Sequence, residues 1–167
     1  GVVTENAGSN IIGGATVAER NIISGNTQHG VFLTGELAND NQIQGNYIGT
    51  TADGQLALGN GLDGIPIVSG ANNLIGGSTA GAGNLISGNG RYGVLIQGSL
   101  ANLNKLEGNY IGTNASGMSA IANTQSGVLI ESALNVVGGT QSGARNVLSG
   151  NGRAPTTPLG AGADRPC

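Results

Sequence analysis

Side chains able to do acid–base, nucleophilic or metal chemistry are scarce in this sequence: one histidine, one cysteine, nine carboxylates, and six lysines and arginines among 167 residues. The most suggestive set is His29, Asp63, Tyr92 and Ser126. Each stands just before a glycine that opens an aliphatic run, at Gly30, Gly64, Gly93 and Gly127. If those runs stack as neighbouring strands, His29 and Asp63 come within roughly 5 Å of each other. A carboxylate at that distance can orient an imidazole for general base work. A corner that accepts any polar residue would produce the same pattern, so both readings stand at this level.

Other chemistry is harder to assemble. Polysaccharide cleavage through oxygen-ligated calcium needs carboxylates clustered in space, and glycoside hydrolysis needs a pair of acids at a defined separation. The carboxylates here fall instead at positions that differ from repeat to repeat: Glu36 corresponds to Ser99, Asp40 to Leu103, Asp53 to Ser116 and Glu107 to Gln44. No metal site and no cofactor site is expected from this arrangement. Gln42, Gln44, Lys105 and Glu107 form a polar surface on one face of a strand series, and Tyr47 and Tyr110 read as packing residues at a corner.

The elements that position these residues are set by an internal repeat. Asparagine followed by aliphatic residues and glycine recurs at Asn10, Asn41, Asn73, Asn104 and Asn135, with steps of 31, 32, 31 and 31 by subtraction of those positions. A period in this range marks an array in which each unit buries its apolar face against its neighbours. A longer register lies over it. Asn21-Ile-Ile-Ser-Gly-Asn26 returns at residues 84–89 and 146–151, and Gly45-Asn-Tyr-Ile-Gly-Thr50 returns unchanged at residues 108–113. Two unit types therefore alternate.

Each unit offers three short runs rich in Ile, Val and Leu, bounded by Gly, Asn, Ser or Thr, which is a strand signature. With 33 glycines in the chain, no stretch supports a stable helical face. The segment from Gly35 to Asp40 is the one exception, and it is too short to matter. Period-2 alternation predicts three inward columns: Ile12, Ile43, Ile75, Leu106 and Val137; Val31/Leu33, Ile65/Ile67, Val94/Ile96 and Val128/Ile130; and Ile23, Ile48, Ile86, Ile111 and Leu148. The five asparagines at the strand starts, Asn10, Asn41, Asn73, Asn104 and Asn135, are expected to stack as a ladder, each side-chain amide donating to the next.

These strings resemble the right-handed parallel β-helix repeats of large bacterial surface and secreted proteins, within the pectin-lyase-like superfamily. The resemblance covers residues 10 to 151. It implies an all-β solenoid of about five coils of 31–32 residues, starting near 10, 41, 73, 104 and 135, with three short strands per coil. It also implies a secreted or cell-surface location. That superfamily includes polysaccharide lyases, hydrolases and epimerases as well as non-catalytic stalks and adhesins, so the fold sets only a prior on function. The leading expectation is a structural or adhesive module without catalysis; the alternative is a carbohydrate-active fragment.

Composition narrows the partners. A formal net charge of −3 with 9% charged residues supplies no basic stripe for nucleic acid. No apolar run approaches the roughly 20 residues of a membrane span. Self-association end to end, or contact with a glycan surface, are the partners expected. Residues 1–9 read as the end of a coil, with no cap over the first strands, which suggests a piece of a longer protein or ends covered by other copies. Residues 152–167, with three of the four prolines, break the repeat and read as a cap or flexible tail ending in the lone Cys167.

Overall fold

A computed structural model describes residues 1–152; the expected C-terminal tail, including Cys167, lies outside the described residues apart from its first residue. Among the described residues fifteen short strands run in strict rotation among three sheets. Sheet A holds β1 (Val2–Glu5), β4 (Val31–Thr34), β7 (Ile65–Val68), β10 (Val94–Gln97) and β13 (Val128–Ile130). Sheet B holds β2 (Ile11–Gly13), β5 (Gln42–Gln44), β8 (Leu74–Gly76), β11 (Lys105–Glu107) and β14 (Val136–Val137). Sheet C holds β3 (Ile22–Ile23), β6 (Tyr47–Ile48), β9 (Leu85–Ile86), β12 (Tyr110–Ile111) and β15 (Val147–Leu148).

Every pairing between strands is parallel. The result is a parallel β-solenoid in which the five strands of each sheet are separated by four turns of the coil. Residues 1–9 contribute β1, so the apparent coil end carries a full strand. Among the described residues the one helical turn is the 3₁₀ segment Val17–Glu19, whose start is tied down by Glu19 accepting from the Thr16 N–H and hydroxyl. It does not fall at residues 35–40, where the chain makes only a turn.

The three inward columns fill the interior as the alternation requires. Ile43, Ile75 and Leu106 from sheet B, Leu33, Ile67 and Ile96 from sheet A, and Ile48, Ile86 and Ile111 from sheet C are all fully buried. The columns open toward the last coil, where Val137 and Leu148 are 46% and 45% exposed. Each interior coil thus buries its apolar residues only against the coils on either side, as a stacked array must.

Polar groups at the corners are satisfied by asparagine, and there are three ladders. The expected one runs Asn10, Asn41, Asn73, Asn104, Asn135, with each Nδ2 donating to the next Oδ1 at 2.8, 2.9, 2.9 and 3.0 Å. A second runs Asn21, Asn46, Asn84, Asn109, Asn146 at the B-to-C corner. A third runs Asn26, Asn60, Asn89, Asn123, Asn151 at the C-to-A corner. In the interior of each ladder the Oδ1 also accepts the previous asparagine's backbone N–H, and at all of these positions but Asn41 the second Nδ2 proton goes to a main-chain carbonyl, as in Asn73 to Ala38 O. One side chain therefore settles an N–H and a C=O that a sharp corner would strand.

The alternation of unit types has a geometric cause. In coils 1, 3 and 5 the long connection lies between sheets B and C, at residues 14–21, 77–84 and 138–146; in coils 2 and 4 it lies between C and A, at residues 49–64 and 112–127. A protruding loop is thicker than the strand spacing of about 4.8 Å, so loops at one corner recur every second coil. They then touch one another directly: Ala115 N–H donates to Gly54 O at 2.9 Å, and a Cβ on Gly81 would stand 2.0 Å from Ala15 O. Two loop ridges result, and sheet C forms the floor between them.

Candidate functional site

The C-to-A corner carries the residues with the most chemical potential. The last residue before each sheet A strand's opening glycine is His29, Asp63, Tyr92 and Ser126 in successive coils, and those glycines, Gly30, Gly64, Gly93 and Gly127, fix the path there. Gly64, for example, has no room for a Cβ, which would lie 2.6 Å from Gly93 O. Stacking brings His29 Nδ1 to 3.3 Å from Asp63 Oδ2. Tyr92 meets Asp63 through its backbone, its N–H donating to Asp63 Oδ1 at 3.0 Å. Ser126 is exposed and is not drawn into the group.

Asp63 is fully buried, yet its Oδ2 has no hydrogen-bond partner. His29 Nδ1 is placed to accept the Asp63 backbone N–H at 3.3 Å; with the ring proton on Nε2 a neutral imidazole has no hydrogen to give Oδ2. Burial holds the His29 pKa below the ordinary histidine value; the nearby Arg91 guanidinium adds to that lowering and Asp63 opposes it. Arg91 Nη1 stands 3.7 Å from Asp63 Oδ2 and supplies the counter-charge from the solvent side. The alternation of aliphatic runs did not single out Arg91; its place immediately before Tyr92 was the available signal.

This arrangement can hold an imidazole in a fixed orientation, and on protonation Nδ1–H would turn to the waiting Oδ2. His29 also packs on Phe32, with ring centres 5.1 Å apart, beside a cavity of about 200 Å³ at the first-coil end lined in part by Thr27 and Gln28. A nucleophile aligned with the imidazole is not evident among the described residues. Among those same residues no group of three or more His, Cys, Asp or Glu is placed to hold a metal ion.

The polar face of sheet B keeps the order read from sequence. Gln42 lies beside Leu74, which lies beside Lys105, while Gln44 donates to Gly76 O at 2.9 Å. No two carboxylates adjoin there. Tyr47 and Tyr110 differ from expectation: they stand on the outer face of sheet C, in register with Leu85 between them, and Tyr110 is 36% exposed.

The fold and corner chemistry together define a parallel β-solenoid with asparagine ladders at all three corners. No family model matches the chain, nor does any curated protein or solved structure.

Proposed function

We propose that this chain is a non-catalytic structural module, a β-solenoid of the pectin-lyase-like type belonging to a secreted or cell-surface protein, which spaces or presents neighbouring domains. The observation that carries this reading is the continuity of the three asparagine ladders. Fifteen asparagines are committed to holding one coil on the next, while the chemically distinctive residues occupy a single corner column. The ladders also have a direction: Nδ2 groups donate toward the C-terminal end. Further coils, or a second copy of the chain, would therefore add head to tail, the geometry that extends rods rather than closing rings.

A second reading is a carbohydrate-active fragment, favoured by the buried Asp63 and half-buried His29 beside the first-coil cavity. The two readings separate in one experiment. A panel of acidic and neutral polysaccharides is incubated with the protein and assayed for new reducing or unsaturated ends. The structural reading expects no turnover. Turnover that disappears in Asp63→Ala would overturn it. No helix among the described residues is long and apolar enough to cross a membrane.

A further inference from the structure

The 63-residue super-repeat supplies an internal comparison on the floor of sheet C. Tyr47 and Tyr110 occupy the same place in successive super-repeats, since 47 plus 63 is 110. Their surroundings match on one side: Gly54 and Gly117 close over the ring edges, where an added Cβ would stand 2.9 Å from Tyr47 Cε2 and 2.6 Å from Tyr110 Cε1. On the other side they differ. Arg20 lays its guanidinium over Tyr47, 4.1 Å from the ring centre, while its Nε donates to Gly45 O at 3.1 Å. The residue 63 positions on is Gly83.

Tyr110 accordingly has no guanidinium over it among the described residues, and it is exposed where Tyr47 is half-buried. At this place lies a cavity of about 160 Å³, bounded by Gly81, Gly83, Leu85, Tyr47 and Tyr110 with Arg20 at its far side. The opening is built into the backbone. A Cβ at Gly83 would stand 2.0 Å from Gly108 O, so no side chain from that position can fill it. Gly108 is also the counterpart of Gly45, whose carbonyl accepts from Arg20.

We propose that this cavity binds the guanidinium of an arginine carried by a partner polypeptide, stacked on Tyr110 as Arg20 is stacked on Tyr47. The chemistry follows from the filled copy: an aromatic face attracts a cation, and a planar guanidinium can stack and donate to a carbonyl at once, which an ammonium cannot do equally well. The chain's net charge of −3 attracts a cationic partner. Arg20 lies two coils away, about 10 Å by strand spacing, so its repulsion is largely screened at physiological salt. The site goes beyond the spacer role and stands without it.

The test is an NMR titration of the chain with acetyl-Gly-Arg-Gly-amide, following the tyrosine ring resonances. Saturable shifts are expected, larger at Tyr110 than at Tyr47, whose face Arg20 already covers. Tyr110→Phe should keep the binding and Tyr110→Leu should weaken it by about tenfold. Arg20→Ala bares the second ring and should add a second site of similar affinity at Tyr47. Equal binding of the lysine tripeptide, preferential binding of the glutamate tripeptide, or an unchanged site count in Arg20→Ala would overturn the proposal.

Discussion

Two corner columns run side by side along this solenoid and solve the same problem in opposite ways. The third ladder repeats a neutral amide in every coil, Asn26, Asn60, Asn89, Asn123 and Asn151, and satisfies its neighbours as it goes. Three residues further on in each of the first four of those coils, the column of His29, Asp63, Tyr92 and Ser126 changes chemistry at every step and leaves a buried carboxylate oxygen without a hydrogen bond. Stacking identical amides is self-consistent, because each is donor and acceptor at once. A column of unlike residues has no such guarantee, so its energetics depend on local compensation by Arg91 and by the imidazole's protonation state.

The largest test of that contrast is a cut through a ladder. Asn104→Ala removes the acceptor for the Asn73 N–H and Nδ2, both at 2.9 Å, and strands these buried donors. A loss of about 3 kcal/mol or more is expected from urea unfolding. Asp63→Ala should cost less, about 1–2 kcal/mol. It strands the Tyr92 N–H but also removes a buried oxygen that has no hydrogen bond, and it leaves Arg91 in solvent. If Asp63→Ala proves costlier than Asn104→Ala, the contrast between the columns is reversed.

Smaller effects follow. Because His29 titrates lower when folded than when unfolded, the unfolded chain takes up its proton first as the pH falls. Stability therefore rises with pH through that window and is lost as the pH drops below about 6.5. His29→Gln should flatten this part of the profile, read as the urea midpoint at several pH values. Ser126→Ala, at the exposed end of the same column, should change stability by less than about 0.5 kcal/mol.

Much of this architecture is legible in the residues themselves. The inward columns can be read because alternation inside a strand is local, and Ile43, Ile75 and Leu106 needed only their own neighbours to be placed. The first ladder was visible because its links keep near-constant spacings of 31 and 32. The other two were hidden by the alternating loops, which make successive links 25, 38, 25 and 37 residues in one and 34, 29, 34 and 28 in the other. A fixed offset does survive: Asn26, Asn60, Asn89 and Asn123 each precede by four the glycine that opens a sheet A strand. The approach of His29 to Asp63 was readable from register, whereas the unpartnered oxygen and the contact with Arg91 depend on side-chain placement. Likewise, the unequal cover of Tyr47 and Tyr110 required the path of loops 14–21 and 77–84.

The central claim is that the ladders hold the coil together along its length, and native-state hydrogen exchange tests it most directly. The backbone N–H groups of Asn41, Asn73, Asn46, Asn84, Asn60 and Asn89, each donating to the next asparagine in its ladder, should exchange only on global unfolding and with a common protection. Exchange of these groups as fast as that of the exposed loop residues Ala52 and Asp53 would contradict the account.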